Sequence, residues 1–460
     1  MLQRAAAAQP DAADICCDLG LALKALGRFD EAVEAQKNVT DLLPTSARAW
    51  SNYGTALISA KRTEDAIAAF IQAVALDSHD PELHYNLGNA LLASDDPVTA
   101  EGAFLRALKI QPNHIGALTN LGSALKDQGR MDEAEAILRG TAILDPDNAD
   151  LKWNLAIVLL TAGRFREGWA AYEARRSVPG FAVKPQKMPP WPGTPLGGKR
   201  LLVHAEQGFG DTIQFCRYLS FLPDDAAEIV FQVPERLLPL MGSLRADVTL
   251  VGTEDTGERC DLEAPLLSLP HLIGPADPVA PETDRYLAPD PDHLARWADR
   301  LSGHDGASIA ICWQGNPDYR YDNSRSVPLQ AFTPLSELSG IRLISLQQSP
   351  GCSQMDDVPW GNRITNLGDD IDQESAFIDS AAILATVDLV VTSDTAIAHL
   401  AGALGVPVWM ALAHVPDWRW GLTGTTTPWY PTMRLFRQET RGDWDSVFNN
   451  IAAAIKEQFP

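Results

Sequence analysis

Gly20, Gly54, Gly88 and Gly122 stand at an unbroken interval of 34 residues. A period of that length leaves few folds open, because it is the length of a helix–turn–helix unit that buries its apolar face only by stacking on a copy of itself. Other positions keep the same beat. Leu19, Tyr53, Leu87 and Leu121 precede the glycines, and Leu23, Leu57, Leu91 and Leu125 follow three residues on. Ala32, Ala66, Ala100 and Ala134 lie twelve residues beyond. The small residues predict that the first helix of each unit approaches the second so closely that only Gly or Ala fits. Pro44, Pro112 and Pro146 follow the second helices, where a residue without an N–H can end a helix but not continue it. Ser78 takes that place in the second unit.

This pattern resembles the tetratricopeptide consensus and gives four full repeats over residues 12–147. Pro10 lies one period before Pro44, so residues 1–9 read as a lone second helix. Leu155, Ala156, Leu159 and Gly163 hold the register and give a partial fifth unit ending near Arg176. The expected solenoid is therefore residues 1–176. Such repeats present an extended concave face that binds protein or peptide segments, which leaves any chemistry to the rest of the chain.

At 460 residues the chain is too long for one core. Its net charge of −23 disfavours nucleic acid or an anionic membrane as the main partner. The six cysteines are scattered without a C-x-x-C or zinc spacing, and five of them fall in apolar or strand-like segments and read as core residues. Residues 1–9 carry no secretory pattern and no apolar run reaches the length of a membrane span, so a cytoplasmic, soluble protein is expected.

Residues 177–199 are rich in proline and glycine and read as a linker. Trp191 and Leu196 within it predict that it packs along the following domain. From Arg200 the period changes to strand, loop, helix: RLLVH (200–204), EIVFQV (228–233) and VTLVG (248–252) alternate with helical stretches. The alternation returns with SIAICWQG (308–315), IRLISLQ (341–347), DLVVTSD (388–394) and VPVWMAL (406–412). The segment PDPDHLARWADRL (289–301) lies between the two runs as a hinge-helix candidate. The pattern predicts two α/β domains with parallel sheets, residues 200–300 and 301–460, facing one another across a cleft.

Ligands in open parallel sheets bind beyond the carboxyl ends of the strands, and that rule selects four places. HAEQGFGDT (204–212) follows the first strand. Gly208 and Gly210 allow a turn and close approach of a ligand to backbone, while Ile213 breaks the dinucleotide fingerprint. Asp211 at the helix start is either a helix cap or a general base. The second place, 312–326, offers Gln314, Gly315 and Asn316, with Arg320 and Arg325 as guanidinium forks for a diphosphate; its plain alternative is a solvated loop. In the third, Ser393, Asp394 and Thr395 begin a helix whose N-terminus suits an anion, with His399 one turn on. Asp394 would face sugar hydroxyls rather than phosphate. Gln347, ending a strand, is the fourth, as a partner for a base or ribose. Asp370 and Asp372 form a D-x-D triplet that reads as a capping loop, and no metal is expected. Trp409, Trp418, Trp420 and Trp429 read as a C-terminal tail docked on the first α/β domain, with a carbohydrate platform as the alternative.

The strand–GxGD–helix at 200–219, together with SDTAIAHLAGALGVPV (393–408), resembles the heptosyltransferase-like group of GT-B glycosyltransferases. Repeats fused to such a domain are similar to bacterial protein glycosyltransferases, flagellin-modifying ones included, and to the architecture of O-linked N-acetylglucosamine transferases. The resemblance implies two facing Rossmann-like domains, an inverting, metal-independent reaction without a cofactor, Asp211 as catalytic base, and Ser393, Asp394 and Thr395 at the donor's phosphates and sugar. The group usually offers the donor a lysine, and 312–326 has none, leaving Arg320 or Arg325 to replace it. The implied function is transfer of a sugar from a nucleotide-sugar to a protein hydroxyl, with the acceptor recruited by the repeats. The alternatives are a repeat scaffold with a degenerate, inactive domain, and a lipid-saccharide transferase. Donor, acceptor identity and oligomeric state are not written in the sequence.

Overall fold

A computed structural model describes residues 2–178, 181, 187–244, 248–255, 259–273, 285–317, 322–367 and 370–460. The chain forms two compact units, Met1–Val158 and Leu159–Pro460.

The first unit is a tetratricopeptide-repeat solenoid. A single helix α1 (Leu2–Ala8) precedes four helix pairs: α2 (Ala13–Ala25) with α3 (Phe29–Leu42), α4 (Ala47–Ser59) with α5 (Thr63–Leu76), α6 (Pro81–Ala93) with α7 (Pro97–Ile110), and α8 (Ile115–Asp127) with α9 (Met131–Leu144). Helix α10 (Ala149–Thr161) starts the fifth pair. The periodic glycines do what their spacing predicts. A Cβ on Gly54 would stand 2.8 Å from the Phe70 ring, one on Gly88 would stand 2.5 Å from Phe104, and one on Gly122 would stand 2.6 Å from Leu138. Each large residue is on the second helix of the same pair, so the glycine is the socket into which it packs. Caps fix where helices begin. Asp80 accepts from the Glu82 N–H at 2.9 Å ahead of Pro81, and Asp96 accepts from the Thr99 N–H at 3.1 Å ahead of Pro97. Between the paired helices the chain turns through a left-handed residue, which is Gly27, Lys61, Asp95, Gly129 and Gly163 in successive repeats.

The second unit opens with the closing helix of the last repeat, α11 (Phe165–Tyr172), continued as a 3-10 turn over Glu173–Ser177. A four-stranded parallel sheet follows: β1 (Arg200–His204), β2 (Glu228–Val233), β3 (Val248–Gly252) and β4 (Leu262–Pro265), in the order β3-β2-β1-β4. Its helices are α12 (Phe209–Phe215), α13 (Leu238–Met241) and α14 (Leu269–Ile273). Strand β4 is absent from the sequence reading because four residues ending in proline give no period. It pairs beyond its edge with the linker, where the Trp191 N–H donates to the Glu263 carbonyl at 2.7 Å. Trp191 and Leu196 are buried, as their composition predicted.

Helix α15 (Pro291–Arg300) precedes a six-stranded parallel sheet of β5 (Ala307–Cys312), β6 (Ile341–Ser345), β7 (Thr365–Asn366), β8 (Leu389–Thr392), β9 (Val408–Leu412) and β10 (Met433–Arg437), in the order β10-β9-β8-β5-β6-β7. The intervening helices are α16 (Asp322–Arg325), α17 (Thr333–Ser336), α18 (Gln354–Asp357), α19 (Ile378–Leu384) and α20 (Ala396–Ala403), and α21 (Trp444–Gln458) closes the chain. Helix α15 packs on α19, with the buried Trp297 donating to Asp379 Oδ1 at 2.7 Å, so it is a layer of this sheet rather than a free hinge. MRLFR is an edge strand, where a docked tail was expected.

Candidate functional site

The loop after β1 contains Gln207, which is left-handed with φ of 62°, and leads into Gly208, the cap residue of α12. Neither glycine needs its lack of a side chain for a left-handed turn. Gly208 has an ordinary φ of −81°, and Gly210 lies inside the first turn of α12 against α20. A Cβ on Gly210 would stand 3.3 Å from His399 Cδ2 and 3.5 Å from Ala396 Cα. It serves close helix packing between the two sheets' layers.

Asp211 is the third residue of α12. Its carboxylate reaches back to accept the Gly208 N–H at 3.2 Å, and it also accepts from Arg419 Nη2 at 2.5 Å. Burial pushes the Asp211 carboxyl above its usual range, Arg419 opposes that shift and Asp417 adds to it. The group is therefore both a helix-start bond and a partly desolvated carboxylate.

Across the α12–α20 contact, Thr395 caps α20 by position only, since among the described residues no side chain bonds that helix's first amides. Thr395 Oγ1 lies 3.2 Å from Thr392 Oγ1 instead, and the buried Ser393 Oγ finds no hydrogen-bond partner among the described residues. Burial and the charge of Asp417 push Asp394 up to about 6, against the opposing effects of Arg325, the Trp420 indole and Arg419. His399 bonds Tyr430 Oη through Nδ1 at 2.8 Å and stacks on Trp420. Burial holds its imidazole well below the ordinary histidine range, reinforced by Arg419, Arg217 and Arg325, so it is neutral.

Arg325 donates from Nε to Asp322 Oδ1 at 3.0 Å and from Nη1 to the Asp394 carbonyl at 3.2 Å, which brings the second predicted place to the third. Gly315 lies against this guanidinium and leaves no room for a side chain. Asn316 is exposed, and Arg320 lies outside the described residues.

Gln347 corrects the fourth expectation. Its Oε1 accepts from the N–H groups of Trp313 (3.1 Å) and Gln314 (2.9 Å), while Nε2 donates to the carbonyls of Gln348 and Pro350. The amide is spent on tying two loops together, and nothing remains for a base or ribose. The Gln314 side chain is likewise held by Gln354 Nε2 at 3.0 Å. Asp372 accepts from the N–H groups of Asp379 and Ser380 at the head of α19, so the D-x-D triplet is a capping loop. Among the described residues no three His, Cys, Asp or Glu side chains gather closely enough to hold a metal ion.

Sequence reading missed Arg419 and Asp417, which sit in the tryptophan-rich loop between β9 and β10. The loop docks on two elements: Trp418 meets Trp169 of α11 edge-on at 5.2 Å, and in the first sheet's layer Arg217 donates to the Trp429 carbonyl at 2.7 Å. Trp409 is different, a core residue of β9 packed on Phe436. With Trp418, Trp420 and Trp429 all buried, the aromatic surface that a sugar platform needs is absent among these residues. The charged pair inside PDWRW was the available signal. A second buried network joins the motif to the last repeat, where Arg175 bonds Glu206 at 2.5 Å and Ser268 at 2.8 Å.

Comparison with known proteins supports the repeats. Models of the tetratricopeptide repeat match residues 13–45 and 119–180, and a TPR repeat model matches 54–95. Over 320 residues, 63% of this chain, the sequence is 27% identical to Protein FlbA of Caulobacter vibrioides. The match spans 52% of that relative, about half its length. Solved structures with similarity include YrrB, a TPR protein with an unusual peptide-binding site, at 19% identity and a TM-score of 0.32, covering 38% of this chain and 91% of that one. MamA is similar at 22% identity and a TM-score of 0.33, covering 38% and 100%.

Proposed function

We propose that the second unit is a GT-B glycosyltransferase that moves a sugar from a nucleotide-sugar to a hydroxyl of a protein bound by the repeats. The observation that carries this reading is the packing of α12, which bears Asp211 and lies against Ala396 through Gly210, on the head of α20, whose amides no side chain caps among the described residues, with Arg325 beside Asp394. A carboxylate and an anion-seeking helix end belong on opposite sides of a sugar in transfer. The acceptor hydroxyl gives its proton to Asp211, its oxygen bonds the anomeric carbon, and the bond from that carbon to the phosphate oxygen breaks. The departing phosphate takes up negative charge, which Arg325 and the positive end of α20 stabilise. Attack opposite the leaving group inverts the anomeric centre. The acceptor is a protein, of flagellin type if the family resemblance carries over, and the repeats bring it in away from the modified residue.

Thermal shift against UDP, GDP, ADP, TDP and CMP tests the donor site. A ligand at a hundred times its Kd adds about 2.7 kcal/mol. A shift with one nucleotide, lost in Arg325→Ala, supports the proposal and names the donor class; silence across the panel counts against it.

The Asp211–Arg419 ion pair favours a second reading, a binding scaffold whose transferase site is inert. Asp211→Asn separates the two. An unchanged glycosylation pattern of the cell's proteins would leave the scaffold standing, and its loss would require a catalyst.

A further inference from the structure

Arg419 divides its guanidinium among three acceptors on two elements. Nη2 bonds Asp211 Oδ1 at 2.5 Å, Nε bonds Gln214 Oε1 at 2.5 Å, and Nη1 bonds Asp417 Oδ1 at 2.9 Å. Asp211 and Gln214 lie on α12, whereas Asp417 and Arg419 lie in the loop after β9. The guanidinium carbon sits 4.4 Å from the Trp418 ring centroid, so the planar group is guided along an aromatic face.

Burial raises the proton affinity of this carboxylate, but the guanidinium bonded to it opposes protonation. One oxygen of Asp211 takes the Gly208 N–H and the other takes the guanidinium, so a proton would have to displace a charge-assisted bond. Asp417 changes the cost of release. It is a second carboxylate on the same guanidinium, and Arg419 stays paired when Asp211 is let go. Arg419 also acts on Asp394, the residue next to the cap of α20, so its charge reaches the place where a phosphate would sit. Exchanging a carboxylate for a phosphate costs an arginine little, because both match its planar fork.

We infer that Arg419 is a latch on Asp211, thrown by the phosphate of an entering nucleotide-sugar: the guanidinium moves to the phosphate, keeps Asp417, and leaves Asp211 free to accept the proton of the acceptor hydroxyl. The inference rests on the transferase reading and deepens it by setting the order of events. The donor enters first, and the base is unavailable until it has. Arg419 is a positioning residue for Asp211 and a contact for the donor.

The test is calorimetric titration of the full chain with UDP, GDP, ADP, TDP and CMP near pH 6, in buffers of different ionisation enthalpy. Asp394, Asp417, Glu206, the neutral His399 and the phosphate itself also face this region, so proton uptake is read as the difference between wild type and Asp211→Asn. The expected result is a nucleotide whose binding takes up more protons in wild type than in Asp211→Asn, because Asp211 loses its cation. Arg419→Ala should weaken that nucleotide about tenfold, the worth of one charge-assisted bond, and Arg419→Lys should restore most of it. Equal proton uptake in wild type and Asp211→Asn, or unchanged affinity in Arg419→Ala, overturns the latch while leaving the transferase standing. A wild-type chain that binds none of the nucleotides overturns both.

Discussion

Gly210 on α12 faces His399 on α20, with 3.3 Å between the imidazole Cδ2 and the place a Cβ would take. The histidine has little room to yield, because Tyr430 bonds its Nδ1 and Trp420 stacks on its ring. Gly210→Ala is therefore expected to cost under about 1 kcal/mol, and Gly210→Val about 2 kcal/mol, by overpacking. Urea denaturation followed by tryptophan fluorescence measures both; equal stability of the valine variant would show that the two helices part freely.

Asp394 gives the fold a pH dependence of definite sign. Its carboxyl titrates at about 6 when folded, against about 3.9 in an unfolded chain, so the native state holds the extra proton between those values. Stability from this group is present below pH 4 and is lost as pH rises through 6. Asp394→Asn should accordingly raise stability by about 2 kcal/mol at pH 8 and leave it unchanged at pH 4. His399 acts in the opposite sense: it must stay neutral, so its contribution falls away as pH drops below the unfolded value near 6.5. Denaturation curves at the two pH values decide the Asp394 claim, and a gain of equal size at both would refute it.

Glu206, two residues before the GxGD motif, is structural. Arg175 is fully buried against it, and the Leu267 N–H donates to it at 3.1 Å. Glu206→Gln removes the more deeply buried of the arginine's two carboxylate partners, leaving Glu173 at 2.8 Å, and should cost about 1–3 kcal/mol. The same contact sets where the chain can be cut. A truncated chain starting at Leu159 should fold, and one starting after Arg176 should not, as far-ultraviolet circular dichroism and melting would report.

Gln347→Ala strands the Trp313 and Gln314 amides and should cost about 2–4 kcal/mol. Nucleotide affinity, measured where the variant is still folded, should be close to wild type. A selective loss of affinity would return Gln347 to the ligand.

In the repeats, Lys61 occupies the left-handed turn position that glycine holds at Gly27, Gly129 and Gly163. Lys61→Gly should stabilise the first unit by about 0.5–1 kcal/mol, since the strain relieved exceeds the backbone entropy added. Gly88→Ala, driven into Phe104, should destabilise it by about 1–3 kcal/mol. Thermal melts of residues 1–158 test both substitutions.

What the sequence revealed follows from how each feature is encoded. The repeats were legible because one packing contact, glycine against a large residue, recurs every 34 residues and writes itself into the spacing. The longer parallel strands were legible as apolar runs. Strands β4 and β7 were not, because four and two residues carry no period, and β10 lay hidden among tryptophans. Asp211 could be found because it sits in a local motif. Arg419, 208 residues away, stands out in sequence only as a charge among tryptophans, and its pairing with Asp211 could not be read because only the folded chain brings the two together. Gln347 misled for a related reason: a strand-end amide looks the same in sequence whether it meets a ligand or the neighbouring loop.

Arg217 carries a consequence for how the protein is made. Its guanidinium is buried between the rings of Tyr286 and Tyr430 and donates to the carbonyl of Trp429, a residue 212 positions later. Until translation has passed Tyr430, this cation has no finished site, and the layer that carries it must wait in an open, hydrated form. The repeats face no such delay, since each one completes itself from neighbours already outside the ribosome. A message truncated shortly before its end would thus release a chain with sound repeats and an unfinished second unit.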